Sequence, residues 1–307
     1  MSYLVSVSPH IVSGDIIKRR MYFVFAALIP ALISSVVFFK IHALLLILVS
    51  SFTAVLADSI FVLIKKKKEY FFDGSALLTG ILLAMVVPPT LPLWTVAIGS
   101  FFAIIIVKQT FGGLGFNIFN PALAARAFLM ASYPVLMTTW VLPFTLKTSA
   151  TPLAKEAPQI VTHMQLFMGN VGGSLGETSA LALLIGAIFL LITKVIDYRI
   201  PLSMLGAMSV FAFVFGKQGL FTGDVIFHLL AGGAFIGAFF MATDYITSPV
   251  TKSGRIIFGA GCGIITMVIR LWGGYPEGVC YSILIMNAVV PLIDRLTMGK
   301  GYQQEAV

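Results

Sequence analysis

One long interruption divides the apolar sequence, and at its centre stands the run TLKTSATPL, residues 145–153. The interruption covers residues 134–178, whereas apolar runs separated by short polar turns fill most of 21–133 and 179–293. Apolar runs of this length and number are typical of membrane-spanning helices. The sequence therefore predicts an all-α polytopic membrane protein of about ten transmembrane helices, with two membrane bundles on either side of a central loop.

Composition supports this class of protein. The chain is 59% hydrophobic and 10% charged, with a mean hydropathy of +1.01, which excludes an ordinary soluble globular protein. The net charge of +8 comes mostly from Lys and Arg in short loops, so we expect membrane lipid and no nucleic acid as a partner. Cys262 and Cys280 stand in apolar surroundings without metal-site spacing, so buried thiols are expected.

The positions of the basic residues predict the orientation. Lys18, Arg19 and Arg20 precede the first span, which indicates a cytoplasmic N-terminal segment over 1–20. Counting ten crossings from there places fourteen Lys and Arg inside and five outside, with the tail 294–307 also cytoplasmic. The loop 134–178 is then extracytoplasmic.

The two predicted bundles look like versions of one plan. In the first, Asp73 leads to Pro88-Pro89, to a Gly-rich turn at 111–113 and to Asn120-Pro121. In the second, an acidic residue, a proline, a Gly-rich turn and an asparagine recur at Asp244, Pro249, 272–274 and Asn287. Five spans per half predict inverted repeats, and broken helices at matching positions indicate a pathway near the bilayer midplane.

Acidic residues in or near spans are candidates for function because they are costly in hydrocarbon. Asp58 and Asp244 are the better candidates for an ion path among six acids, the others being Asp73, Glu177, Asp224 and Glu277. An alternative is equally compatible with the sequence, in which Asp58 and Asp244 cap helix ends or pair with Arg126 or Arg255. No hydrolase or zinc-protease motif is present.

Thr151 is a candidate of another kind. A threonine hydroxyl is a poor nucleophile, but an external enzyme can esterify it when an exposed, flexible segment of small residues presents it. Thr148-Ser149-Ala150-Thr151 has that character. On residue chemistry alone, an ordinary polar loop remains the simpler interpretation.

Six blocks in order along the chain resemble the RnfD/NqrB family, the membrane subunits of Rnf and of related Na⁺-pumping complexes. The similarity covers about 13–295. Alongside TSATPL (148–153), the six blocks are DGSALLTG (73–80), NPA (120–122), GGSLGETS (172–179), ATDYITSP (242–249), YPEGV (275–279) and PLIDR (291–295). Each block alone is weak. Six in the right order on a ten-span chain are specific.

The resemblance implies covalent FMN on Thr151 through a phosphoester bond, with Ser149 and Ala150 completing the modification motif. It implies a flavin transferase for maturation, a urea-channel-like fold and, as a further cofactor, non-covalent riboflavin. Thr145 stands where the modification pattern often has aspartate, and Ser149 replaces the commoner glycine.

The implied function is electron relay in a redox-driven ion pump that couples ferredoxin:NAD oxidoreduction to Na⁺ or H⁺ translocation. Ferredoxin and NAD are expected on other Rnf subunits, since this chain has no dinucleotide fingerprint or cluster motif. Two alternatives remain: an NqrB-like subunit of a Na⁺-pumping NADH:quinone oxidoreductase, and a channel or secondary transporter without redox chemistry.

Overall fold

The computed structural model describes residues 14–65, 73–154, 161–216 and 220–298. Most of the predicted 1–20 segment and of the 294–307 tail lies outside these ranges, as do Lys66–Lys68, Lys155, Lys217 and Lys300, which entered the charge count. The first helix already begins at Gly14, seven residues before the predicted span. The helix can extend beyond the apolar segment because the side chains of Lys18, Arg19 and Arg20 in its first turns are exposed, so no charge has to be buried.

Helix α1 (Gly14–Ile64) is two helices joined without a loop. Lys40 has φ 58° and ψ −146°, which breaks the helical path between two long apolar arms. This agrees with the turn predicted at residues 40–42.

The rest of the first half consists of shorter elements. Helix α2 (Ser75–Met85) ends before Pro88-Pro89, α3 (Leu93–Phe102) continues as a π-helix over Ala103–Gln109, and α4 (Pro121–Ser132) follows the Gly-rich turn. Proline lacks an amide hydrogen and disfavours helix in the residue before it, which accounts for the end of α2.

The central segment is partly ordered into small elements. It contains α5 (Pro134–Met137), the strands β1 (Trp140–Val141) and β2 (Thr148–Ser149), and α6 (His163–Met168). The strands pair antiparallel, with Trp140 opposite Ser149.

The second half repeats the mixture of long and interrupted helices. It comprises α7 (Ala180–Ile192), α8 (Arg199–Val214), α9 (Val225–Leu230), α10 (Ala234–Ile236) with a π-helix over Gly237–Met241, α11 (Lys252–Trp272) and α12 (Val279–Thr297).

The architecture is helical and apolar on the outside. In the described ranges, three helical segments are long and apolar enough to cross a membrane: 18–64, Lys252–Trp272 and Val279–Thr297. Five shorter apolar helices accompany them there. Large side chains such as Phe52, Leu202 and Leu296 are mostly exposed on the surface. Such a surface suits a hydrocarbon environment and not water.

Small residues let these helices approach closely. A Cβ at Gly186 on α7 would lie 2.0 Å from the Ala27 carbonyl oxygen of α1, and one at Gly259 on α11 would lie 2.6 Å from the Ile200 oxygen of α8. Close backbone contact at glycine is how helices associate where no hydrophobic effect drives them together.

Different contacts hold the helices together at each end of the bundle. At the end that carries the central segment, called the loop end below, Phe144 N–H donates to the Phe38 carbonyl and Thr90 Oγ1 donates to the Thr139 carbonyl. At the opposite end, Asp197 joins α11 through Arg255 at 2.6 Å.

Candidate functional site

Thr151 lies just beyond β2 and is packed into the loop end of the bundle. Its side chain is 3% exposed, and its Oγ1 accepts a hydrogen bond from Leu153 N–H at 3.3 Å. Leu153 in turn packs with Leu166, Val171 and Ala231. The expectation of an exposed hydroxyl is therefore wrong, because the apolar Leu153 draws Thr151 inward.

The residues before Thr151 do have the expected exposure. Residues 144–148 and Ala150 are exposed, and Ser149 is half-buried, with its hydroxyl donating to the Ala150 carbonyl at 3.2 Å. Phe144 and Leu146 have φ of 62° and 54°, a left-handed conformation that is unfavourable for bulky residues. The segment thus presents its small residues at the surface while its end is buried.

Two cavities lie beside this segment. One, of about 280 Å³, is lined by Leu153, Ala154, Arg270 and the turn 273–276. The other, about 20 Å³, is lined by Arg126, Glu277, Tyr281 and Trp140, the residue paired with Ser149 across the ribbon. The turn at Tyr275-Pro276 borders both cavities.

Four buried charged side chains gather beneath these cavities. Arg126 on α4 donates to Glu277 Oε2, and its Nη1 lies 3.7 Å from Glu177 Oε1. Arg270 on α11 donates to the carbonyls of His228 at 2.5 Å and Ala231 at 3.0 Å, at the C-terminal end of α9. These residues, Arg126, Glu177, Arg270 and Glu277, are called the charged cluster below.

No local sequence pattern singles out this cluster. In the sequence, Glu177 and Glu277 belong to a general group of acids, and Arg126 is noted only as a candidate partner for the ion-path acids. The missed signal is that an arginine within an apolar helix requires buried carboxylates, and both acids stand at the starts of later helices.

Asp58 lies at the opposite end of the bundle in an ion pair of its own. Lys108 Nζ lies 3.1 Å from Asp58 Oδ1, and Gln109 Nε2 donates to the same oxygen at 2.5 Å. Lys108 also donates to Ser75 Oγ at 2.7 Å. The lysine therefore neutralises the first of the two ion-path candidates.

Asp244, the second candidate, shapes a turn. Its carboxylate accepts from Ile246 N–H and from Thr247 Oγ1, each at 3.3 Å. Asp244 and Lys108 line one cavity of about 80 Å³. The structure thus brings the two candidates to the same end of the bundle but supplies a counter-charge to Asp58. The pairing predicted as their alternative is not observed, because Arg126 binds Glu277 and Arg255 binds Asp197.

Two asparagines join the halves in the interior. Asn120 caps α4, accepting from Ala122 N–H and Leu123 N–H. Its backbone N–H donates to Asn287 Oδ1 and its side-chain amide donates to the Met241 carbonyl, both at 3.3 Å. Asn287 also donates to the Thr247 carbonyl at 3.0 Å.

The carboxylates of Asp197 and Asp224 have lowered pKa values. Burial alone would raise the pKa of Asp197, but hydrogen bonds from Arg199 N–H and from the Arg255 and Arg199 side chains outweigh it and lower the pKa. For Asp224, burial is likewise outweighed by Phe227 N–H and by His163, whose Nε2 lies 2.7 Å away, and the pKa is lowered.

The two cysteines are free and buried, as predicted. Cys280 S–H donates to the Leu123 carbonyl at 3.3 Å and adds one more contact between α12 and α4.

Comparison with known proteins identifies the family. A sequence profile described as the NQR2, RnfD, RnfE family matches residues 4–303. The chain belongs to this family. Within it, the chain is 46% identical to a subunit of the proton-translocating ferredoxin:NAD(+) oxidoreductase complex of Clostridium ljungdahlii, over 96% of this chain and 94% of that one.

Two further family members show how wide the similarity is. The chain is 46% identical to a subunit of the Na(+)-translocating ferredoxin:NAD(+) oxidoreductase complex of Acetobacterium woodii, over 98% of this chain and 96% of that one. It is 39% identical to a subunit of the ion-translocating oxidoreductase complex of Stutzerimonas stutzeri, over 94% of this chain and 93% of that one. The resemblance inferred from the six blocks is thus confirmed.

Proposed function

We propose that this chain is the RnfD subunit of a Rnf-type ion-translocating ferredoxin:NAD oxidoreductase and assembles with the other Rnf subunits in the membrane. The observation that carries this proposal is 46% identity, over nearly the whole of both chains, to subunits of two ferredoxin:NAD(+) oxidoreductase complexes. The same similarity makes the NqrB-like alternative the weaker one. Ferredoxin and NAD bind elsewhere in the complex.

We further propose covalent FMN on Thr151. Bound there, the flavin supplies one- and two-electron transfer chemistry. The surroundings fit such a group: the Thr151 hydroxyl adjoins a segment with a cavity of about 280 Å³ beside it, and a buried guanidinium, that of Arg270, lines this cavity. Arg270 and Tyr275 are the residues that would hold the flavin.

The burial of Thr151 determines when it is modified. A transferase needs access to the hydroxyl, which is 3% exposed in the packed loop. Residues 144–148 are exposed, so release of Leu153 from its apolar contacts is the step that frees Thr151. The flavin is therefore attached before Leu153 packs or while it is released.

For the membrane arrangement, we propose ten crossings in two inverted repeats, with the flavin loop extracytoplasmic and both termini cytoplasmic. The early end of α2 before Pro88-Pro89 in one half and the interruption between α9 and α10 in the other support the repeats. The basic residues support the orientation. Asp244 is the better candidate for an ion path, because Lys108 neutralises Asp58. The two 46% relatives are named for different ions, H⁺ and Na⁺, so the coupling ion here is one of these two.

The deciding experiment is in-gel flavin fluorescence of the denatured full-length chain, co-expressed with a flavin transferase that is active on a control substrate. The natural chain and Thr148→Ala are expected to fluoresce, whereas Thr151→Ala is not. Thr148 is the matched control because it is an exposed threonine three residues away in the same segment. A dark natural chain would remove the flavin and favour the channel or transporter alternative.

A further inference from the structure

Unpaired polar atoms concentrate in and beside the charged cluster. Among the residues that the structure describes, four buried polar atoms there lack a hydrogen-bond partner: Ser174 Oγ, Glu177 Oε1, Glu277 Oε1 and Arg270 Nε. Buried polar atoms in proteins are nearly always paired, and exceptions indicate a bound water, an ion or a functional proton. The cluster is therefore built to hold something more than its own side chains.

Of the two carboxylates, Glu177 is the less compensated. Arg126 donates directly to Glu277 Oε2, but its distance of 3.7 Å to Glu177 Oε1 is too long for a hydrogen bond. Glu177 Oε2 accepts a long hydrogen bond from Ser174 N–H at 3.4 Å. Glu177 Oε1 is thus the atom that gains most from a proton.

The formal charge of the cluster is balanced when both carboxylates are ionised, because two guanidinium groups face two carboxylates. Five titratable groups surround Glu177: Arg126 on α4, His228 on α9, Arg270 on α11, Cys280 on α12 and Glu277 in the turn before α12. The other nearby residues are Gly233, just before α10, Ile236 on α10 and Met85 on α2, and none of them titrates. The negative charge of one electron added to a group near the cluster is thus compensated by one proton added to Glu177.

Glycines on two sides lie close to both the cluster and the Thr151 segment. A Cβ atom added to Gly232 would lie 2.7 Å from Leu153 Cδ1, 3.2 Å from Arg270 Nη2 and 3.8 Å from Glu277 Cγ. On the other side, a Cβ on Gly172 would lie 3.4 Å from the Ala150 carbonyl oxygen, and one on the adjacent Gly173 would lie 3.7 Å from Glu177 Oε2. Both sequence neighbourhoods of Thr151, at Ala150 and at Leu153, therefore lie near glycines that are close to the cluster.

We propose that Glu177 is a redox-linked proton acceptor for the flavin on Thr151. The inference rests on the proposed function. When a one-electron carrier of the complex delivers an electron to the flavin, Glu177 Oε1 takes one proton from solvent water, and the Glu177 carboxylate becomes a carboxylic acid. When the electron leaves, the proton returns to water. Arg126 and Arg270 lie beside Glu277 and do not exchange the proton, so they are positioning residues.

The test is reduced-minus-oxidised infrared difference spectroscopy on the full-length chain carrying its flavin, reduced electrochemically in H₂O and in D₂O. The natural chain is expected to gain the carbonyl stretch of a buried carboxylic acid on reduction, and this band is expected to shift in D₂O. Glu177→Gln should lose the band. Asp224→Asn, the matched control, changes an exposed carboxylate at the same end of the bundle and should keep it.

A second readout uses the flavin midpoint potential against pH. A proton taken up with each electron adds about 59 mV per pH unit, a tenfold change in equilibrium constant. The slope of the natural chain is expected to exceed that of Glu177→Gln by up to this amount.

The outcomes separate the two proposals. Flavin bands without any carboxylic acid band in the natural chain would overturn the role of Glu177 and leave Thr151 modification intact. A band that persists in a folded Glu177→Gln chain would assign the proton to another group. Absence of flavin bands would remove both proposals. If the variant does not fold, the natural chain alone can still overturn the proposal, because absence of any D₂O-sensitive carboxylic acid band on reduction would exclude protonation of Glu177.

Discussion

Loss of the Arg126 guanidinium is expected to destabilise the bundle strongly. Arg126→Met would leave Glu277 and Glu177, both buried, without their nearest counter-charge. Removing one partner from a buried ion pair costs about 3–5 kcal/mol, because the remaining charge stays desolvated. At roughly 2–4 °C per kcal/mol for a chain of this order of size, the melting temperature should fall by on the order of 10 °C.

The chain carries its own reporters for this measurement. Cys262 and Cys280 are free and buried, so a thiol-reactive fluorescent dye reports unfolding of the detergent-solubilised chain as temperature rises. Glu277→Gln should also lower the melting temperature. The double variant should be more stable than the sum of the two losses predicts, since the second change removes the uncompensated charge.

A melting temperature for Arg126→Met within about 2 °C of the natural chain would refute this reasoning, since that corresponds to no more than about 1 kcal/mol. Simple additivity in the double variant would also contradict it. Either result would mean that water already compensates the Glu277 carboxylate.

Three further predictions concern the ends and the packing of the bundle. Hydrogen bonds from Arg199 N–H and from the Arg255 side chain lower the pKa of Asp197. They therefore stabilise the fold above the unfolded pKa of about 3.9, and this stabilisation is lost as pH falls through the lower folded value. Asp197→Asn should lower the dye-detected melting temperature at pH 7 and should match the natural chain in acid. Gly186→Ala should cost about 1–3 kcal/mol through overpacking, whereas Gly206→Ala, with nothing within 4 Å of its new methyl group, should be neutral or stabilising in the same assay. Asn287→Ala should lower the free energy of unfolding by about 2–4 kcal/mol, because Asn120 N–H and the Thr247 carbonyl, both buried, lose their partner. A melting temperature equal to that of the natural chain would show that water replaces the amide.

Patterns local in the chain were sufficient to predict much of the fold. Lys40 breaks the first long helix where a minimal turn was expected, and α2 ends before Pro88-Pro89 as the short apolar run indicated. These features depend on neighbouring residues alone. The burial of both cysteines followed from their apolar surroundings.

The candidate site was harder to predict because it depends on residues far apart in the chain. Arg126 meets Glu277 across a separation of 151 residues, which no local pattern reveals. Exposure of Thr151 was inferred from small polar neighbours, but Leu153 two residues later decides its position by packing against Val171 and Ala231. Asp58 looked like an isolated charge in a span because Lys108, its partner, stands fifty residues away.

The bridge between the two interior asparagines limits how the molecule moves. Asn120 belongs to one half and Asn287, with the Met241 carbonyl, to the other, and the Arg126–Glu277 pair and the Cys280 contact also join the two halves. Transport by rocking of one half against the other requires an interface that slides or opens. Here that motion would break all of these buried bonds together. Rearrangement of side chains and loops at the two ends of the bundle would leave these bonds intact, so it costs less free energy than rocking of the halves.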